Sequence, residues 1–199
     1  VNIWMNHIYR YQDAFIHVKN FLKKKNLKIT NINITGNNLN LGSNLIHFVD
    51  YVSYFLNDKE PINKIIFKSN SYWRKSKRNS YKEFNGSIEI HFKNNLILSV
   101  YSKQNLSKNS FSLHKIFCGK KIIKIKNLYN LQKSILKFEN KTKIFDCPYI
   151  SNSTYKEIEK ILSNKRKINL CKLNKTIFIY SQLIRELLSH YNFFYKIKN

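Results

Sequence analysis

Five segments between positions 63 and 126 most constrain the fold. Residues 63–68, 87–92, 96–101, 111–117 and 121–126 are short runs of strand-forming residues bounded by turn residues. Lys93-Asn94-Asn95 and Gly119-Lys120 leave room only for tight connections, so each predicts a hairpin and hence antiparallel neighbours. A further strand is predicted over 28–35, where Ile29, Ile32 and Ile34 alternate with Thr30, Asn31 and Asn33. Residues 1–9 read as a strand entering from outside. Helical spacing appears at 11–25, with Phe15, Val18, Phe21 and Leu22 on one face. It appears again at 43–57, with Leu45, Val49, Val52 and Leu56 as the apolar stripe and Ser43 as the cap. Helices from Ser153 or Thr154 to 164 and over 176–191 follow. A sheet with one apolar face must be covered, so the expected class is α+β, with helices packed on one face of an antiparallel sheet.

The 199 residues fit one domain, and 43% hydrophobic with 15% aromatic residues suffice for a core, which argues against a disordered tail. No apolar run reaches membrane-spanning length, because the best, 45–56, is broken by His47 and Asp50. No basic segment leads into an apolar one at the N-terminus, so no signal peptide is read. Cys118, Cys147 and Cys171 lie too far apart for a CxxC motif, and this sparse, odd set reads as reduced thiols in a cytoplasmic protein. The net charge of +25, from 36 Lys and Arg against 11 Asp and Glu, raises attraction to nucleic acid, nucleotide-linked substrates or anionic lipid. Against this, Lys is scattered through a chain saturated with Lys, Asn and Ile, as compositional bias alone would place it. A contiguous stripe would favour nucleic acid; scattered lysine favours another function.

Four glycines, Gly36, Gly42, Gly86 and Gly119, fall at no dinucleotide-binding or P-loop spacing. The chain therefore carries no recognisable phosphate cradle, and no cofactor-binding residues are expected. Nor do His7, His17, His91, His114 and His190 show metal-ligand spacing; they read as structural, and no metal site is expected. Chemistry concentrates between Gly36 and Asp50. On a helix, Ser43, His47, Asp50 and Tyr54 share a face opposite the apolar stripe. A histidine beside a carboxylate near a helix N-terminus can position and deprotonate a substrate hydroxyl.

The stretch Gly36 to Asp50 resembles the glycine-rich turn and H-x-x-D helix of the glucose–fructose oxidoreductase/inositol dehydrogenase (Gfo/Idh/MocA) family. Arg10, with the strand before it, is similar to the segment that follows that family's cofactor domain. Ser76-Lys77-Arg78 through Glu83-Phe84-Asn85-Gly86 resembles its S-K-R…E-F-x-G element, 151–162 its S-x-x-T helix, and 170–190 its closing segment. The resemblance implies a C-terminal substrate-binding and oligomerisation domain over 1–199, with a large, open, mostly antiparallel sheet. It implies hydride transfer between NAD or NADP and a sugar or sugar-derivative hydroxyl, the cofactor being held by a Rossmann half, in cis or trans, that this chain lacks. The isolated chain would bind no cofactor and be inactive, and the complete protein would be a homo-oligomer. His47 matches the family's histidine and is the expected catalytic residue. Arg10, Ser43, Asn44, Lys77 and Arg78 are the expected substrate-binding residues. The family's lysine has no counterpart here, and its aspartate, four residues before the histidine, is replaced by Ser43, a poor base. Alternatives are a basic α+β nucleic-acid-binding module and a noncatalytic oligomerisation domain.

Overall fold

The alternating segments pair into one sheet. The computed structural model describes residues 4–57, 61–68, 70–75, 82–103, 111–148, 150–163 and 170–198. In chain order the elements are β1 (Trp4–Met5), a 3-10 turn (Ile8–Arg10), α1 (Asp13–Lys24), β2 (Asn31–Asn37) and α2 (Leu41–Phe55). Then come β3 (Ile62–Phe67), β4 (Tyr72–Lys75), β5 (Lys82–Phe92), β6 (Ile97–Lys103), β7 (Phe111–Cys118) and β8 (Lys121–Leu128). After a second 3-10 turn (Tyr129–Leu131), β9 (Lys133–Phe138) and β10 (Lys141–Asp146) precede α3 (Ile150–Leu162), β11 (Cys171–Lys172) and α4 (Leu173–Lys198).

The sheet order is β10-β9-β8-β7-β2-β6-β5-β3, with β4 also paired to β5, while β1 and β11 form a separate ribbon. All pairings are antiparallel except β2–β6, which is parallel. The strand period buries Ile32, Ile34, Ile88, Ile90, Leu98, Val100, Ile116, Ile123 and Ile125 on one face. That face is covered by α1 near β9 and β10, α2 over β5 and β6, and α4 near β3 and β4. The protein is an α+β fold with an open, mostly antiparallel sheet and helices packed on one face. Full burial of each large side chain contributes about 1.5–3 kcal/mol, so the sheet–helix seam dominates stability.

Two glycines are structural requirements. A Cβ on Gly36, in β2, would lie 2.3 Å from the Phe111 carbonyl and 2.6 Å from Leu39 Cδ2, so only glycine lets the 38–40 loop fold back here. Gly86 has φ +109 and separates the stretch of β5 that pairs with β4 from the stretch that pairs with β3.

Several boundaries depart from the sequence reading. Among the described residues 4–9, strand covers Trp4–Met5, and β4, β9 and β10 were not anticipated. The α2 helix starts at Leu41, with Asn40 as its left-handed N-cap (φ 51), so Ser43 lies inside the first turn rather than capping it. That helix is also buried on more than its apolar stripe: Phe48, Asp50, Tyr51, Ser53 and Phe55 are buried beside Leu45, Val49 and Val52. All three cysteines are free and buried. No helix among the described residues is long and apolar enough to cross a membrane.

Candidate functional site

A cavity of about 230 Å³ opens where the end of β2, the N-terminal half of α2 and the two 3-10 turns meet. Asn37, Asn38, Asn44, His47 and Tyr129 supply its polar groups, and Ile8 and Phe48 are among its apolar walls. Asn38 reaches this position through a left-handed backbone (φ 52), a conformation asparagine tolerates better than most residues. Asn44 donates its Nδ2 to the Leu39 carbonyl at 2.8 Å, which pins the loop to the helix.

His47 is half-buried, and its Nδ1 lies 3.1 Å from Nδ1 of His7. The His7 ring is buried, edge-on to both His47 and Tyr180. Its Nε2 has no hydrogen-bond partner and lies 3.9 Å from Asp50 Oδ1. Asp50 is fully buried. It accepts Arg10 Nε at 2.7 Å, Arg10 Nη2 at 2.9 Å and the Tyr180 hydroxyl at 2.6 Å. Burial pushes the His7 pKa down to about 4; Asp50 pulls it up, and His47 and Arg10 add to the lowering. Burial also lowers His47, against the pull of Asp50, so both rings are neutral at neutral pH.

The cavity's tyrosine wall is anchored from behind by a buried polar network. His114 Nε2 lies 2.8 Å from Ser112 Oγ, Ser112 Oγ lies 2.9 Å from the Tyr129 hydroxyl, and that hydroxyl lies 3.2 Å from Tyr9's. Burial holds His114 down at about 3 and raises Tyr9 and Tyr129, so these groups stay neutral and act as scaffold. His47 is thereby the cavity-lining group suited to accept a proton at neutral pH.

The sequence-predicted residues separate in space. His47 and Asn44 line the cavity. Arg10 is 3% exposed and committed to Asp50, as a buried ion pair within the chain. Ser43 donates its hydroxyl to Glu83 Oε1 at 2.9 Å, and its amide lies 3.3 Å from Glu83 Oε2. Lys77 and Arg78 lie outside the described residues. Sequence reasoning placed Asp50 beside His47, whereas the closer neighbour is His7, forty residues away in sequence and read as structural. No local spacing signals that contact; Tyr129, brought in from the far end of β8, was missed for the same reason.

Among the described residues, none of the four glycines forms a phosphate-cradling loop. Gly36 and Gly86 are in strands, Gly119 is in the β7–β8 turn, and Gly42 packs against Glu83. The Glu83 carboxylate sits at the positive end of α2, where it accepts the Ser43 amide. Among the described residues, no group of His, Cys, Asp and Glu is arranged to hold a metal.

No family model matches this sequence, and no curated protein matches it. Solved structures do. A UDP-N-acetylglucosamine 3-dehydrogenase from Acidithiobacillus ferrooxidans superposes with TM-score 0.61 at 7% identity, over 90% of this chain and 58% of its own. A 3-ketoreductase from Actinomadura kijaniata in complex with NADP gives 0.51 at 8% identity, over 83% and 54%. A super-repressor mutant of Gal80p from Saccharomyces cerevisiae gives 0.56 at 13% identity, over 84% and 54%. This chain thus spans little more than half the length of these structures, and it shares the fold of the part it covers.

Proposed function

We propose that this chain is the substrate-side domain of an NAD- or NADP-dependent oxidoreductase acting on a sugar or sugar-derivative hydroxyl. The observation that carries the reading is His47: a neutral imidazole beside three asparagines and a tyrosine hydroxyl in one small cavity. Amides and hydroxyls both donate and accept, which suits a polyhydroxylated ligand, and His47 takes the proton of the hydroxyl being oxidised. The Acidithiobacillus relative, named for a nucleotide-linked sugar, supports that substrate class. The hydride acceptor would belong to a Rossmann half supplied in cis or in trans, because the four glycines fall at no dinucleotide-binding spacing. Exposed apolar rows, Tyr155, Ile158 and Leu162 on α3 and Ile177, Ile184 and Leu188 on α4, offer such a half a surface to cover. Arg10 and Ser43 then act as supports, through Asp50 and Glu83, and a cytoplasmic location fits three free thiols.

With the cofactor half restored, replacing His47 by Ala should lower turnover on the order of 10²–10⁴-fold with little change in melting temperature. Val49 is fully buried, so Val49→Asp should instead unfold the domain by burying an unpaired carboxylate. Steady-state kinetics and thermal melts on both variants decide: full turnover by His47→Ala, or its collapse alongside Val49→Asp, would leave a noncatalytic oligomerisation domain as the better reading.

A second reading, nucleic-acid binding, is favoured by one observation. On the open face of the sheet, strand register sets Lys115 opposite Lys124 and Lys124 opposite Lys137. Like charges directly opposite across strands destabilise a sheet unless counter-charge is supplied. Tyr101, Ile122 and Ile144 also stand exposed there, which is the case for a second copy of this chain covering the same face. A triple Lys→Glu change at 115, 124 and 137 separates these readings. Loss of single-stranded oligonucleotide binding, retained by the equally charged change at Lys23, Lys24 and Lys25, would support the nucleic-acid role. Equal loss would assign the attraction to bulk charge. Sedimentation of the native chain as a dimer or larger species would support self-association.

A further inference from the structure

We infer that His7 is a positioning residue that fixes the tautomer of His47, so that Nδ1 of His47 carries the proton and Nε2 is the free base nitrogen. The consequence for catalysis rests on the reading of His47 given above; the tautomer itself rests on geometry alone. The two Nδ1 atoms are 3.1 Å apart, so at neutral charge one donates and the other accepts. Which way the bond runs is decided at the far side of the His7 ring. There Nε2 is buried, has no hydrogen-bond partner and faces Asp50 Oδ1 at 3.9 Å.

If His7 carried its proton on Nδ1, a lone pair on Nε2 would face a carboxylate inside the protein, two negative ends opposed at low local dielectric. With the proton on Nε2, the positive end of the ring faces the carboxylate. Arg10 biases the ring the other way, but its charge is taken up by two hydrogen bonds to Asp50, and His7 feels Asp50 more strongly than Arg10. Tyr180 stacks edge-on to His7 and spends its hydroxyl proton on Asp50, so it leaves the preference unchanged. His7 Nδ1 is then the acceptor and His47 Nδ1 the donor. The ring of His47 has one nitrogen left, Nε2, which makes no hydrogen bond within the described residues and belongs to a side chain lining the cavity. A carboxylate thereby orients a catalytic imidazole through an intervening imidazole, with Asp50 itself held by Arg10 and Tyr180.

The test needs no cofactor half and no turnover. Two-bond ¹H–¹⁵N correlation spectra of the ¹⁵N-labelled chain, above neutral pH, distinguish protonated from unprotonated ring nitrogens. The expected result is His47 with Nδ1 protonated and Nε2 bare, and His7 with the reverse. In His7→Phe, His47 should shift towards the Nε2-protonated form usual for free imidazoles. Asp50→Asn keeps the side chain's shape, removes the bias and should give mixed tautomers at both rings. A native spectrum with Nε2 of His47 protonated would overturn the inference even if no variant folds. So would a His47 tautomer unchanged in His7→Phe. Because the spectra are independent of turnover, failure of this inference and failure of the catalytic reading are seen separately.

Discussion

Acidification from pH 7.5 to about 4.5 should remove stability steeply. His7 and His114 are buried neutral, with pKa values lowered from 6.5 to about 4 and about 3. In the unfolded chain both rings take up a proton below the ordinary value, while in the folded chain they do not. Their contribution is therefore fully present above about 6.5 and is lost as pH falls towards their folded values. Each ring contributes a slope of about 1.4 kcal/mol per pH unit in that window, and two together approach 3 kcal/mol per unit. Glu89 and Asp146, whose pKa values are lowered by hydrogen bonds to Lys68 and Lys133, add their loss only at lower pH. Urea midpoints across the window measure the slope, and His7→Phe should reduce it. A flat profile between pH 7 and 5 would mean that these rings are charged in the folded state, contrary to their burial.

Replacing Asp50 by Ala should be the most damaging single change near the site. It takes two charge-assisted hydrogen bonds from the Arg10 guanidinium, whose side chain is 4% exposed, and removes an acceptor of the Tyr180 hydroxyl. Breaking a buried ion pair on one side costs about 3–5 kcal/mol, a large share of a typical domain's stability. For a chain of this length that is a fall of roughly 6–20 °C in melting temperature. The paired replacement Arg10→Met with Asp50→Leu should recover most of the loss, because two apolar side chains leave no buried charge. Calorimetry on both variants checks this. A melt of Asp50→Ala within two or three degrees of the native chain would show that the pair is hydrated, and would weaken the tautomer argument that depends on its burial.

The same pair illustrates how the sheet-covering helix serves two purposes. One side of α2 packs Leu45, Val49 and Val52 into the sheet seam, and another carries Asp50 into a polar cluster with the 3-10 turn and α4. His47 lies between those commitments, which leaves one ring nitrogen for the cavity. A position anchored this closely would give the proposed proton-accepting role its geometric precision.

What the sequence determined by itself was local. Period-two alternation placed β2, β5, β6, β7 and β8, and the Asn95 and Gly119 turns closed two hairpins with left-handed residues. Period-3.6 apolar spacing placed α1 and the body of α2, because side-chain direction follows from backbone geometry within a few residues. The β9–β10 hairpin escaped because its turn uses Glu139 at φ 51 instead of glycine, and because lysines on both strands mute the apolar signal. Tertiary structure alone decided the parallel β2–β6 pairing, which joins segments separated by α2 and three other strands. It alone decided the site as well. A helical wheel sets His47 and Asp50 on one side of α2 but does not reveal what packs there. The chain brings His7 and Arg10 from 40 residues before, and Tyr180 from 130 residues after, because a buried carboxylate must find donors wherever the fold supplies them.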